Sequence, residues 1–252
     1  DIHVPVFSLI LASAAAGAGA HSVSRPGRAL GGGVAMIVMN DLVAGYDRQP
    51  VTRALSGVIE RGSMTAIVGA NGCGKSTLLK TLAGFLPPVS GTFRWQGRRP
   101  VVGWLAQRHA LEAQFPLTVQ DVVSMGCWPA ISLFAGFRRD ARMRIAGALE
   151  RVGLESMAFS TIDELSGGQF QRMLFARVLV QQAPLVMLDE PFTGVDEATC
   201  NVLMDLMLEM YMQGQTLLAV LHDSERVSRH FPQTLRLDAD TPHWKTERVR
   251  VA

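Results

Sequence analysis

The stretch Gly69–Lys80, GANGCGKSTLLK, places three glycines and a lysine directly before the expected start of a helix. Glycines carry no side chain, so several backbone N–H groups can converge there on one anion. The helix N-terminus adds unpaired donors and the positive end of its dipole. Lys75 can reach the outer phosphates of a nucleotide, and the Ser76 hydroxyl can ligate Mg²⁺. The stretch therefore predicts a phosphate-binding site between a strand and a helix.

The spacing Gly69-x4-Gly74-Lys75-Ser76 matches the phosphate-binding loop called the P-loop. A glycine-rich turn that only caps a helix is the alternative, and other parts of the chain must decide between the two. We assign nucleotide contacts to every residue from the first glycine to the first turn of the helix: Gly69, Ala70, Asn71, Gly72, Cys73, Gly74, Lys75, Ser76 and Thr77.

The composition is that of a globular protein, with 48% hydrophobic residues, 18% charged residues and a formal net charge of +2 over 252 residues. So mild a charge gives no reason to expect a nucleic-acid partner. The three cysteines form no CxxC pair, which favours a reducing compartment over a disulfide framework. The six histidines show no metal-ligand spacing.

The first 35 residues differ from the rest. Val6–Ser22 resembles the apolar region and cleavage site of a secretory signal, but it lacks a cationic flank. It is also too short and too rich in Ala and Gly to span a bilayer, and a flexible linker pattern follows it. We expect residues 1–35 to be a disordered leader or a misassigned N-terminus, with Met36 as the natural start.

After Met36, short apolar runs alternate with helical patterns. Strands are predicted within Met36–Tyr46, Arg53–Gly62, Met64–Gly69, Gly91–Trp95 and Val101–Ala106. A mostly helical middle follows, in which Thr118 and Asp121 can cap one helix and Asp140–Gly153 continues with helical spacing. Buried strands, each followed by a helix, are predicted at Leu185–Glu190 and Thr216–Asp223. This order predicts an α/β core interrupted by a helical insert.

Two carboxylates end the apolar run Leu185–Leu188, in the sequence LVMLDEP. A strand that is apolar on both faces is typical of the centre of a parallel sheet, and such sheets bind ligands at the carboxyl ends of their strands. Asp189 can hold Mg²⁺ through water, and Glu190 can accept a proton from an attacking water. An acidic strand end before a proline turn is the alternative.

The sequence ELSGGQFQR, Glu164–Arg172, predicts a second helix end suited to an anion. Ser166 and Gln169 form a capping box, and Gly167 and Gly168 leave the backbone N–H groups of the first turn bare. One domain needs only one such end for its own triphosphate, so the second end is expected to complete the site of another copy of the chain. An ordinary capped helix is the alternative.

These three motifs, in this order, resemble the ATP-binding subunit of ABC transporters, and the resemblance covers essentially Met36 to Asp238. It implies an α/β fold of the P-loop NTPase type, with a mostly parallel sheet, an antiparallel β subdomain and a helical insert that carries the family signature. It divides the chain into an ATP-binding domain at 36–240, with the insert at about 107–170, and a tail at 241–252.

The resemblance also implies roles for residues outside the three motifs. Tyr46 is similar to the aromatic residue that stacks on adenine. Gln107 is similar to the glutamine that contacts Mg²⁺ and joins the core to the insert. Asp196 is similar to an aspartate at the dimer interface, and His222 to the switch histidine that contacts the γ-phosphate.

The implied mechanism is a head-to-tail pair of these domains that encloses two ATP molecules, with Mg²⁺ at each site. Lys75 and the P-loop hold each phosphate chain from one side, and Ser166 and Gly168 of the other copy close from the opposite side. The implied catalytic residues are Glu190, His222, Lys75 and Gln107. Membrane permease subunits would dock on the insert near Gln107, at the cytoplasmic face of the inner membrane, and a periplasmic metal-binding protein would take part indirectly.

Two stretches favour a subgroup. Phe115–Gly126 and Asp189–Asp196, DEPFTGVD, are similar to zinc and manganese importers. Siderophore importers resemble the first stretch but usually carry Thr in place of Phe192, and a siderophore or haem importer is the first alternative. A soluble ABC ATPase and a non-hydrolysing regulatory module are further alternatives. The presence of Lys75, Glu190 and His222 argues against the regulatory module.

Overall fold

The computed structural model describes residues 33–105, 117–130, 139–237 and 242–246. The predicted site residue Gln107 and most of the predicted leader lie outside these ranges. The described strands are β1 (Ala35–Val43), β2 (Gly45–Tyr46), β3 (Gln49–Pro50), β4 (Leu55–Glu60), β5 (Met64–Val68), β6 (Ser90–Trp95), β7 (Val102–Leu105), β8 (Leu185–Asp189), β9 (Thr216–Val220), β10 (Gln233–Arg236) and β11 (His243–Thr246).

The described helices are α1 (Lys75–Leu82), α2 (Val119–Ser124), α3 (Arg139–Arg151), α4 (Gly167–Gln181), α5 (Glu197–Met212) and α6 (Ser224–His230). Short 3₁₀ helices lie at Met125–Ala130, Glu155–Met157 and Ile162–Glu164. None of the helices in these ranges has the length and apolar character that crossing a bilayer requires.

The main sheet has six strands in the order β11-β10-β5-β9-β8-β7, and all neighbours are parallel except β11 and β10. Every residue of β8 and β9 is buried, which explains why these strands are apolar on both faces. Val220 pairs with Ile67 on one side and with Asp189 on the other. The carboxyl ends of β5, β9 and β8 therefore meet at one edge of the sheet.

The sheet separates two hydrophobic clusters, because successive strand residues point to opposite faces. In β8, Val186 and Leu188 belong to the larger cluster, which contains helices α2 to α6. Leu185 and Met187 belong to the smaller cluster, which contains α1 and strands β1 and β4. The sheet is thus the middle layer of an α/β core.

A separate antiparallel sheet has the order β4-β1-β6, and the short hairpin of β2 and β3 lies beside it in the chain. The fold expected from the sequence is therefore confirmed: a mostly parallel sheet, an antiparallel subdomain and helices inserted between β7 and β8. The capping boxes expected at Thr118–Asp121 and Ser166–Gln169 are both present.

The sheet continues beyond the predicted domain boundary at residue 240. His243–Thr246 pairs with Gln233–Arg236 and forms the outermost strand, β11. The run His243–Thr246 is short, and nothing in the sequence indicates that it pairs with Gln233–Arg236. The described part of the predicted tail thus belongs to the sheet, whereas the other predicted boundaries, including the insert at 107–170, stay predictions.

Candidate nucleotide site

The loop Gly69–Gly74 connects β5 to α1 at the carboxyl edge of the main sheet. Gly74 has φ of 93° and is the residue before the helix, and Gly72 has φ of 81°. A side chain at Gly74 would also place its Cβ 2.6 Å from Cγ2 of Thr52. Conformation and space both require glycine at position 74.

Lys75 lies over this loop rather than in solvent. Its Nζ donates hydrogen bonds of 2.8 Å to the backbone carbonyls of Gly69 and Ala70, and only 5% of the residue is exposed. An ammonium group is therefore held at the mouth of the loop, among backbone amides suited to an anion.

Ser76 and Asp189 form a second contact at the same edge. Ser76 Oγ donates a hydrogen bond of 2.7 Å to Asp189 Oδ1, and Asp189 is 2% exposed. Burial raises the pKa of Asp189, although the hydrogen bond from Ser76 and the charge of Lys80 act in the opposite direction. A hydroxyl and a carboxylate oxygen side by side are hard ligands of the kind that Mg²⁺ prefers, so this donor pair fits the expected metal.

Glu190 faces a different partner from its neighbour in the chain. Its backbone has φ of 52°, a left-handed conformation that is uncommon outside glycine. Glu190 Oε1 lies 2.8 Å from His222 Nε2, and Thr193 Oγ1 donates to Glu190 Oε2 at 3.2 Å. The two consecutive carboxylates are thus assigned to two separate contacts.

The charge state of Glu190 follows from these contacts. Burial acts to raise the pKa of Glu190, but the hydrogen bond and positive charge of His222, with smaller contributions from Thr193 and Lys75, outweigh it. The pKa is lowered overall, so the carboxylate is ionised at neutral pH and can accept a hydrogen bond or a proton from water.

The second predicted anion site begins at α4. Ser166 N donates to Gln169 Oε1 at 2.8 Å, and Gln169 N donates to Ser166 Oγ at 3.3 Å. A Cβ at Gly168 would lie 3.0 Å from Thr199 Oγ1 and 3.4 Å from Asp196 Oδ2. The structure therefore brings Gly168 and Asp196 together, although 28 positions separate them in the sequence.

Asp196 has a local role that the sequence analysis missed. Its carboxylate caps α5 by accepting a hydrogen bond of 2.7 Å from Thr199 N, and this bond lowers its pKa. An aspartate directly before a helical pattern is a usual capping signal and could have identified it. Thr193 and Thr52 were missed as well. Thr193 lies three residues after Glu190, a spacing that could have indicated the contact, whereas nothing in the sequence connects Thr52 with Gly74.

The remaining predicted site residues lie around the loop. Tyr46 is on β2 and is 39% exposed, opposite Gln49 of β3. Asn71 is exposed, and Cys73 is half-buried against the smaller hydrophobic cluster. Gln107 lies outside the described residues, but β7 ends at Leu105 beside Leu188, so the chain leaves the sheet at the same edge.

A phosphate loop after β5, a buried aspartate at the end of β8, two strands away in the same sheet, and a glutamate–histidine pair define a P-loop nucleotide hydrolase. Residues 52–193, more than half of the chain, match the family model described as ABC transporter. The chain therefore belongs to the ABC transporter family, as a member that carries the ATP-hydrolysing domain.

Curated relatives agree with this assignment. The zinc transport system ATP-binding protein TroB of Treponema pallidum (strain Nichols) is 42% identical over 209 residues, which cover 80% of this chain and 78% of that protein. The manganese transport system ATP-binding protein MntB of Bacillus subtilis (strain 168) is 35% identical over 206 residues, which cover 80% and 82%.

Solved structures show the same fold. An inward-facing ABC transporter assigned to the metal-chelate type is similar with a TM-score of 0.74 and 27% identity, over 84% of this chain and 83% of that one. A dimeric bacterial ABC transporter cassette, MJ0796, has a TM-score of 0.73 at 24% identity, over 84% and 98%. The family and the hydrolase class expected from the sequence are confirmed, whereas the roles of individual site residues stay predictions.

Proposed function

We propose that this chain hydrolyses ATP to drive a membrane importer for zinc or manganese. The observation that carries the reaction is the arrangement of the Glu190–His222 pair and the Ser76–Asp189 pair at the same carboxyl edge of the main sheet, where the P-loop begins. The similarity to TroB and MntB supports the cargo.

The loop amides and Lys75 bind the phosphate chain, and Tyr46 stacks on the adenine. Lys75 is placed for this role because it already lies on the loop carbonyls. Ser76 and Asp189, together with Gln107, would hold Mg²⁺, which when bound neutralises charge on the phosphates. These residues keep the nucleotide fixed, and positioning supplies much of the catalysis in phosphoryl transfer.

The hydrolytic step needs a base near the water and positive charge near the γ-phosphate. Glu190 orients the water and accepts its proton as the water oxygen bonds to the γ-phosphorus. The bond from that phosphorus to the bridging oxygen breaks, and ADP keeps the electron pair. His222 and Lys75 offset the charge on the transferred group.

A second copy of the chain completes each site. Ser166 is exposed at the start of α4, and Gly168, two residues later, lies close to the exposed Asp196. Gly167 and Gly168 carry no side chain that could block an anion, the Gln169 side chain folds back onto Ser166 N, and a helix N-terminus favours an anion. We assign Ser166 through Gln169 to the phosphates bound by the partner copy, with Asp196 at the interface.

The pair of domains works with other subunits. We propose that permease subunits dock on the helical insert near Gln107, at the cytoplasmic face of the inner membrane, and that a periplasmic metal-binding protein delivers the cargo to them. The ATP-binding chain then contacts the membrane only through these subunits.

The variant Glu190→Gln tests the reaction. It should bind ATP normally, because the amide occupies the same space, but hydrolysis should fall at least about 100-fold, since an amide cannot accept the proton. It should also form an ATP-stabilised dimer on a size-exclusion column. The control Glu225→Gln changes an exposed glutamate that pairs with Arg229 on α6, and it should hydrolyse ATP like wild type. Unchanged hydrolysis in Glu190→Gln would refute the proposed role.

Growth of a deletion strain tests the cargo. Growth should be impaired under zinc or manganese chelation, and addition of the matching metal should restore it. A defect seen only under siderophore or haem limitation would assign the chain to that type of importer instead. If co-purified membrane subunits do not stimulate ATP hydrolysis, the chain is a soluble ABC ATPase and not part of a transporter.

A further inference from the structure

The guanidinium of Arg226 is mostly buried among three side chains. Its side chain is 13% exposed, and its Nη2 donates to both carboxylate oxygens of Glu197, at 3.0 and 3.1 Å. Its Nε donates to Asp223 Oδ2 at 3.3 Å, and its guanidinium carbon lies 5.1 Å from the centre of the Phe192 ring. The planar guanidinium therefore contacts three side chains from three different segments.

Each of these three partners lies next to a residue of the nucleotide site. Phe192 is two residues after Glu190, Glu197 directly follows Asp196, and Asp223 directly follows His222. The segments enter from the end of β8, the start of α5 and the start of α6. One side chain thus connects the segments of the proposed base, the proposed interface residue and the switch histidine.

We propose that Arg226 is a positioning residue for hydrolysis: it holds the segments of Glu190, Asp196 and His222 in one arrangement. His222 then stays within hydrogen-bond distance of the Glu190 carboxylate, and the start of α5 with Asp196 stays in the same position. Arg226 touches neither the nucleotide loop nor the reacting groups in the described contacts, so it acts through its three neighbours.

The chemistry of the contacts suits this role. Arg226 reaches two carboxylates through two different nitrogens, Glu197 through Nη2 and Asp223 through Nε. The rigid plane of the guanidinium fixes the angle between these contacts, which a single ion pair does not. Asp223 is also the cap of α6, where it accepts from the backbone N–H groups of Arg226 and Glu225. The bond from Arg226 N lowers the pKa of Asp223, so the carboxylate stays ionised for the side chain of the same arginine.

A neighbouring arginine supplies the matched control. Arg229 lies on the same helix and contacts Glu225 through a single pair in which both side chains are exposed, 66% and 79%. Such pairs contribute little. Arg229→Gln therefore makes the same chemical change on the same helix without touching the three segments.

The experiment compares the full-length variants Arg226→Gln, Arg226→Lys and Arg229→Gln in steady-state ATP hydrolysis. Arg226→Gln should lower kcat about three- to ten-fold, with the KM for ATP within about two-fold of wild type and Tm within about 3 °C. The kcat of Arg226→Lys should lie between the values of wild type and Arg226→Gln, because lysine keeps the positive charge but lacks the planar guanidinium that reaches two carboxylates. Arg229→Gln should match wild type.

A double-mutant cycle separates this role from a general loss of structure. Once Arg226→Gln is in place, adding Glu197→Gln should lower kcat no further, because the contact is already absent. Equal kcat values in Arg226→Gln and Arg229→Gln would overturn the proposal. A kcat loss that only follows a fall in Tm, or one that appears as a higher KM, would overturn it as well.

The inference rests on the reaction proposed for Glu190 and His222, and the two can fail separately. If Glu190→Gln hydrolyses ATP like wild type, the proposed reaction is wrong. If hydrolysis depends on Glu190 but is insensitive to Arg226, only the positioning role is wrong.

Discussion

Asp189 is an ionisable group that the fold keeps almost completely out of water. Its environment raises its pKa, mainly through burial, so the ionised form is less favourable in the folded chain than in the unfolded one. The cost is present above the folded pKa, and it disappears as the pH falls through that value towards the unfolded one. A structure that served stability alone would have no reason to place a carboxylate there.

The variant Asp189→Asn should therefore be more stable than wild type at pH 7 when neither nucleotide nor Mg²⁺ is added. We expect a rise in Tm of about 2–4 °C, and the gain should shrink in acid as the wild-type carboxylate takes up its proton. ATP hydrolysis should be lost. The exposed residue Asp205 provides the control, because Asp205→Asn should leave Tm unchanged. A lower Tm for Asp189→Asn at pH 7 would contradict the reading of its pKa.

The three cysteines differ in accessibility. Cys127 and Cys200 are buried, whereas Cys73 is half-buried within the phosphate loop. Burial raises the pKa values of Cys127 and Cys200, although the charge of a nearby arginine acts against this at both thiols. N-ethylmaleimide should modify Cys73 first and abolish hydrolysis, because the adduct occupies space that the phosphates need. Saturating Mg-ATP should slow this labelling, and Cys73→Ser should be active and insensitive. Mass spectrometry of the labelled peptides provides the measurement, and identical labelling with and without nucleotide would disagree with the assigned loop.

At the level of elements, helices α2 and α4 both begin with a capping box. Thr118 and Ser166 each cap their helix together with a residue three positions later. Only the cap at Ser166 is assigned to a phosphate. The pair therefore allows the capping function and the binding function to be measured separately.

Thr118→Ala and Ser166→Ala should each cost about 1 kcal/mol of stability, the usual contribution of a helix cap. Hydrolysis should be near normal in Thr118→Ala and strongly reduced in Ser166→Ala. Ser166→Asp should keep the cap and the stability, yet also lose hydrolysis, because its charge repels the phosphates of the second copy. Chemical denaturation and ATPase assays provide the two measurements. Equal hydrolysis in the Thr118 and Ser166 variants would remove the phosphate role.

The elements also show what the sequence can predict. Both capping boxes, the buried strands β8 and β9 and the phosphate loop were predictable, because each depends on residues a few positions apart. The positive φ of Glu190 and the pairing of β11 were not, because tertiary contacts determine them. The contacts of Arg226 belong to the same group, since their partners lie up to 34 positions away along the chain.

At the scale of the whole molecule, β11 joins the main sheet to the antiparallel sheet. Trp244 Nε1 donates to the carbonyl of Ser56 on β4 at 3.3 Å. A Cβ at the next residue, Gly57, would lie only 2.2 Å from the same nitrogen. The absence of a side chain at Gly57 therefore permits the contact between the two sheets.

Gly57→Ala should displace Trp244 and destabilise the chain by about 1–3 kcal/mol, the usual cost of overpacking. A change in tryptophan fluorescence should accompany the fall in Tm. In contrast, Gly147→Ala should raise stability by about 0.5–1 kcal/mol, because this glycine lies inside α3 with open space around its Cβ position. If Gly57→Ala were as stable as wild type, Trp244 would not couple the sheets.

The two carbonyls that hold Lys75 have a consequence for product release. A buried ammonium that loses its phosphate partner would normally be left without compensation, and this penalty would slow the departure of ADP and phosphate. Gly69 and Ala70 provide replacement partners within the same loop, at 2.8 Å. With Lys75 on the phosphates, as proposed, the lysine would exchange one set of oxygens for another as the products leave. We therefore expect product release to carry no penalty from an unpaired ammonium group.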